Sequence, residues 1–399
     1  MMRLARRRSL LVGVGSAPSP AGQRSPKWTP WALPTVRKPP MGIPAKEKNT
    51  MRRTLFFLAL ASLAFRGSVA HAQNASVVTT VAVGAVPAAV AVNAATNLIY
   101  TYNVGANTVT VVNGDDNTVV TTIPMPGSGD FSNSGGEIAV NPATNMIYVH
   151  NYAACRCATE VVAIDGSDNT VIATIMTIMS PQSSAGAMGL AVNSLTNTIY
   201  AVTTDDSGFA TGTLWVINGD TNSITTTIPL PFNGLPSGVG VNESTNTVYV
   251  NNQQNPPALF VINGNDNTIT TTISIPTVPQ GGVAINPTSN RVYVACASRG
   301  LTVVNGDDNT VITTIGVDAR WPDYNPITNR VYVGQLLNHN LAIIDADTNA
   351  ILQLLDLQPS GLFPTGTAVN QGTGLIYTVG VQFGNTTPTL DVIQDNIFD

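Results

Sequence analysis

Ten side chains in this chain bring charge, a ring or a titratable group to unusual places in its sequence. His150, Tyr152 and Arg156 lie within seven residues of one another, and Glu137 stands shortly before them. Asp205 belongs to a second polar patch with Asp206 and Phe209. The run Arg320-Trp321-Pro322-Asp323-Tyr324 interrupts an otherwise apolar segment, and His339 follows it. Carboxylates, imidazoles and an indole brought together would line a polar, aromatic pocket able to bind a ligand, and these ten are the candidate ligand-binding residues. The competing reading is that long loops collect polar residues and that Trp321 packs as core.

The same inventory supplies no catalytic or metal set. Metal catalysis needs convergent His, Cys or carboxylate ligands, and only His150 and His339 occur beyond residue 73. Two histidines leave a Ser-His-Asp arrangement open, but no G-x-S-x-G elbow is present. No glycine-rich phosphate loop sits between a strand and a helix. No cofactor is expected. The repeated N-G-D-D-N turns are oxygen-rich, as calcium requires, yet they lack the twelve-residue loop with its terminal Glu and match β-turn preference. Cys155, Cys157 and Cys296 make an odd count. Cys155 and Cys157 could close a small strained disulfide, whereas Cys296 lies too far away for easy pairing.

The elements that must position these residues are repeats. One phrase, an apolar run ending in Asn, a Thr-Asn turn and an Ile/Val-Tyr run, appears at 90–100, 138–148, 190–200, 239–249, 283–293, 322–332 and 367–377. A second phrase of the form VINGDDNTITTTI follows the first six copies. Each unit holds four β-like runs; in the fifth they are 282–286, 291–295, 301–305 and 310–315. Asn and Gly between them suit tight hairpins. One such sheet cannot bury both of its faces, so neighbouring units must supply the core. The expected fold is all-β: a seven-bladed β-propeller of four-stranded antiparallel blades spanning 76–399. The seventh copy stops without its fourth strand, and VVTTVAV (77–83) has no blade before it. The N-terminal strand is therefore expected to join the last blade and close the ring.

Alternation of strands puts the first–second and third–fourth hairpins on one face. The second–third hairpins and the links between blades fall on the other. The long insertions, at 124–136, 151–159, 176–187, 203–213 and 253–258, all fall in the second set. Insertions confined to one face mark a binding face, here on blades two to four.

Runs such as IYVHN (147–151), VYVNN (248–252) and IYTYN (99–103) resemble the YVTN-type β-propeller repeat family of exported bacterial and archaeal surface-layer proteins. The resemblance covers 77–399 and implies an extracytoplasmic propeller of unassigned ligand. Three functions stay open: a binding or protein-interaction scaffold, a propeller enzyme of the lactonase or quinoprotein-dehydrogenase kind, and a structural component of a cell-surface layer.

Segment 51–72 reads as a secretory signal peptide. Arg52 and Arg53 precede an apolar run at 55–65, and Ala70-His71-Ala72 offers a small-residue cleavage site. Residues 1–50 read as a gene-start artefact upstream of Met51 or as a disordered extension. Beyond residue 72, five Arg and no Lys face twenty-two acidic residues, a formal charge of −17. That balance argues against nucleic acid, which demands a basic stripe, and against an anionic membrane surface. The expected product is a monomer, periplasmic, secreted or at the cell surface, with an unknown protein or small-molecule partner.

Overall fold

The computed structural model describes residues 74–126, 136–152, 158–179, 186–205, 211–231, 235–253, 256–382 and 387–396. Their strands form seven four-stranded antiparallel sheets, six of them built from four consecutive strands. The fifth blade has strands Val283–Asn286, Arg291–Ala295, Leu301–Asn305 and Thr310–Ile315, within one residue of expectation.

The core is divided among the blade interfaces. Seven apolar clusters fill the seven gaps, one per pair of neighbouring blades. The repeat tyrosines Tyr100, Tyr148, Tyr200, Tyr249, Tyr293, Tyr332 and Tyr377 are all buried in these gaps. This is why a single repeat cannot stand alone: its Ile/Val-Tyr strand finishes its burial only against the next sheet. On the outermost strands alternation leaves one face wet, as in Ser223–Pro229 and Thr268–Ser274.

The recurring asparagines hold the gaps together on the short-hairpin face. Asn93 Nδ2 donates to Asn145 Oδ1 of the next blade at 2.6 Å, and Asn141 to Asn197 at 2.7 Å. Asn193 donates to Asn246, Asn242 to Asn290, and Asn370 to Asn97 across the closure. Each acceptor sits at φ between 47° and 55°, a left-handed conformation that Asn tolerates. The same asparagines donate onward to Asp115, Asp220, Asn265 and Asp307. The first Asn or Asp of each of these turns accepts main-chain N–H groups within the turn, whereas the Oδ1 of the last Asn, as in Asn117, Asn169 and Asn267, is buried without a partner.

The N-terminal strand closes the ring. Ser76–Ala82 pairs antiparallel with the last strand, Thr389–Gln394, and makes the fourth strand of blade seven. Ala75 is fixed from blade six: the Gln353 side chain accepts from its N–H at 2.8 Å and donates to its carbonyl at 3.0 Å. Asn396 Nδ2 lies 3.5 Å from the Asn74 carbonyl, so the two ends of the ring meet.

A second clasp joins blade six to the end of the chain. Arg330 Nη1 donates to both oxygens of Asp395 at 2.6 Å, and the Tyr332 hydroxyl donates to Asp395 Oδ2 at 2.5 Å. The Asp395 side chain is fully buried, while Arg330 is 21% exposed. Truncating the cation leaves a buried carboxylate without its charge partner. Arg330→Ala is expected to destabilise the protein by about 3 kcal/mol, measured by urea unfolding. A loss below about 1 kcal/mol would place this pair with ordinary surface ion pairs.

One expectation is corrected. Parts of the segments read as insertions are continuous strand: Thr170–Met179, Gly186–Asn193, Thr198–Asp205 and Thr211–Asn218 run into them. Backbone pairing persists to Ala158↔Met179, Gly186↔Thr204 and Asp205↔Thr211. Thr- and Ile-rich stretches such as 174–178 suit the pleated ladder, and pairing satisfies backbone groups a loop would leave to solvent. Blades two and three therefore prolong their sheets at the long-loop face.

Candidate functional site

Where seven first strands converge they enclose a central channel with a cavity of about 250 Å³. Every blade contributes to its wall, and most of the lining is apolar or glycine: Val90, Ile138, Leu190, Val239 and Val283 among others. Glu137, Trp321, Asp323, Thr367 and Gln371 are the side chains that break this pattern with chemistry of their own.

Glu137 opens the first strand of blade two, Glu137–Asn141, directly after the link from blade one. Trp321 precedes the first strand of blade six, Pro322–Asn325, and Asp323 lies within it. Glu137 and Trp321 stand at the link end of their strands, on the long-loop side of the ring, while Asp323 lies further along the channel beside Val369, the last residue of the strand Leu362–Val369. Trp321 reaches Glu137 across the lumen, its indole N–H close enough to the carboxyl to oppose the upward shift of its pKa. The Ile138 N–H donates to Glu137 Oε1 at 3.4 Å. Protein surrounds Glu137 on every side, although water can reach it from the lumen. Burial dominates both donors and pushes its pKa up to about 8.

Asp323 is more firmly held. Val369 N–H of blade seven donates to Oδ2 at 2.8 Å, and Tyr324 N–H donates to Oδ1 at 2.8 Å. Burial still raises it to about 6, with the two main-chain donors opposing the shift. Thr367 Oγ1 is buried without a hydrogen-bond partner.

His150 stands behind Glu137. The two are directly opposite in the antiparallel pair and so share a face of the sheet. The imidazole is fully buried, and neither nitrogen has a hydrogen-bond partner of good geometry. Burial lowers its pKa to about 4, opposed by the Gly189 main chain of blade three. At neutral pH it is an uncharged wall residue.

The narrow side of the channel is made by glycine. A Cβ on Gly238 would collide with the Gly281 carbonyl, and one on Gly281 with the Arg320 carbonyl. Gly281 also sits at φ 131°, closed to ordinary side chains. Blades four, five and six approach backbone to backbone here, which brings Trp321 against Gly282 at the lumen.

The other candidates are placed elsewhere. Tyr324 is buried in the gap between blades five and six, its hydroxyl donating to Asn329 Oδ1 at 3.1 Å. Arg320 uses its carbonyl to accept from Gly282 N–H, and its Nε is buried without a partner. His339 occupies a left-handed turn position, φ 55°, and its carbonyl accepts from Leu357 N–H. Asn107 does the same for Met125 in blade one, so His339 stands in for a turn asparagine, its ring against Phe363. Tyr152 and Asp205 end their strands by main-chain pairing; their side chains, and all of Arg156, lie outside the described residues. So do Cys155, Cys157, residues 1–73 and much of the long-loop set. Cys296 is a buried thiol beside Thr302, its pKa raised by burial. Of the ten, the cavity gathers Glu137, Trp321 and Asp323. Thr367 was not singled out, because a Thr in a Thr-rich repeat carries no local signal.

These features define a class: a seven-bladed β-propeller whose central channel carries two partly buried carboxyl groups and an indole. No protein-family model matches the chain, and no curated protein matches it. The fold rests on the strand topology, and the YVTN-type resemblance rests on the repeats alone.

Proposed function

We propose that this chain is an exported binding propeller of the YVTN-type repeat class whose ligand enters the channel from the long-loop face. One observation carries the reading: Glu137 and Trp321 arrive from blades on different sides of the ring and meet inside a lumen whose other lining residues are mostly apolar or glycine. Pairing a carboxyl with an indole in a desolvated channel is expensive for stability alone, since burial drives the carboxyl far from its preferred state. A few polar groups converging in a mostly apolar cavity is the form small-ligand sites take. The prolonged sheets of blades two and three stand at the same end, where they can meet what enters or a larger partner.

A thermal-shift screen of the whole chain against sugars, peptides, amines and quinones tests the site. A ligand that binds only the native state raises Tm. Any such shift is expected to vanish in Trp321→Ala, and a full shift surviving in that variant would remove the channel from the proposal. Export has its own test. Expressed with its leader, the protein is expected to begin at Gln73 by intact mass, and retention of 51–72 would contradict the signal peptide.

A further inference from the structure

We infer that the channel mouth takes a small organic monocation, an alkylammonium group held between the Trp321 ring and the Glu137 and Asp323 carboxylates. The inference rests on the channel-mouth reading and specifies its ligand. Among the described residues no Lys, Arg or His lines the cavity, so neither carboxyl group has a counter-charge in that wall. An indole face attracts a cation through its quadrupole, most strongly where water is excluded. The 22 acidic residues against five Arg beyond residue 72 give the propeller a field that draws cations. The donor side chains of the lining, the Trp321 indole, the Thr367 hydroxyl and the Gln371 amide, are all neutral, so among the described residues an anion meets two carboxyl groups and no cation.

The alternatives within cation chemistry are narrower. A divalent metal of the calcium type takes six to eight oxygens. Here both Asp323 oxygens already accept main-chain N–H groups, and Glu137 Oε1 accepts from Ile138 N–H. Among the described residues no three His, Cys, Asp or Glu gather as a metal set. An alkylammonium head needs only a few acceptors and a ring face. Thr367 Oγ1 is buried and unpartnered behind the same wall. A cavity of about 250 Å³ lies below the range of roughly 300–1,000 Å³ that drug-sized ligands occupy, which sets the ligand as small.

Binding is coupled to a proton. Glu137, neutral below about pH 8, must ionise to face the cation, and the proton leaves to solvent. Asp323, the other titratable lining group, titrates near 6, and His150 behind Glu137 stays neutral above about 4. Affinity is therefore expected to rise with pH, by roughly tenfold per unit between pH 6 and 8.

Calorimetry of the full chain with tetramethylammonium, choline and butylamine at pH 6, 7 and 8.5 decides it. The expected result is binding that tightens with pH, releases a proton as judged from buffer dependence, and is lost by at least tenfold in Glu137→Gln. Trp321→Leu is expected to weaken it about tenfold, while Glu243→Gln, outside the channel, leaves it unchanged. Organic cations that fail to bind at millimolar concentration, or that bind equally well to Glu137→Gln, overturn the inference. If a neutral sugar binds instead and is lost in Trp321→Leu, the channel-mouth reading stands and the cation falls. If the ligands that bind are all indifferent to both substitutions, both fall.

Discussion

Removal of 74–83 is expected to abolish cooperative folding and to leave a chain that associates through its open edge. The segment supplies the whole outer strand of blade seven, paired from Ser76↔Gln394 to Ala82↔Thr389 with one register shift between Val77 and Thr79. Without it the main chain of Thr389–Gln394 becomes an unpaired edge, a template for pairing with other chains. Ala75 and Val81 leave two blade interfaces at once, uncovering Ile393 on one side and Leu390 and Val392 on the other. A ring has no partial closure, so losing the fastening between first and last blades endangers every interface. The loss is on the order of the 5–15 kcal/mol by which domains are stable at all. Circular dichroism melting and light scattering report the outcome. A permutant that joins 399 to 74 through a short linker and opens the chain after Val83 is expected to fold, because Asn74 and Asn396 are adjacent. A truncated chain that melts like the wild type would show that the clasp is dispensable.

Glu137→Gln is expected to stabilise the unliganded protein at alkaline pH, by on the order of 4 kcal/mol above pH 8. The folded-state pKa is near 8 and the ordinary value is 4.5. Between these values the folded chain holds a proton that the unfolded chain has released, so stability falls as pH rises through the window. Below about 4.5 both states are protonated and the penalty is absent. Gln is close in shape to the protonated acid, so variant and wild type should coincide at acid pH and diverge steadily above it. Asp323 adds a smaller effect of the same sign between 3.8 and about 6. His150 acts oppositely: lowered to about 4 from 6.5, it withdraws stability as pH falls through that interval. Urea midpoints of wild type and variant at pH 4, 6 and 8.5 separate these contributions. A difference that does not grow with pH would mean that Glu137 is ionised in the folded protein. The physical content is that the channel mouth is bought with stability, as functional sites often are.

Much of the architecture was legible in the repeats. The Asn-turn-Tyr phrase recurs with fixed spacing because each residue obeys a local rule. Asn97, Asn145 and Asn197 take the left-handed turn, and Tyr100, Tyr148 and Tyr200 fill the gap to a neighbouring sheet. The missing fourth strand and the orphan run at 77–83 stated the closure by subtraction. Where a local rule was weak the reading was weak. The stretch 174–179 looked like a loop because nothing in it says that a partner strand also extends, and pairing is a property of two segments.

The sequence by itself determined the fold, the blade count, the turn chemistry and the oddity of Glu137 and Trp321 at their places in the repeat. Only the closed ring decided that these two meet, while Tyr324 turns into a blade gap and His339 serves as a turn residue. The physical reason lies in where the information resides. A turn or a strand is specified by neighbours along the chain. The channel is specified by seven blades closing on one axis, and its electrostatics arise from burial that no single repeat can produce.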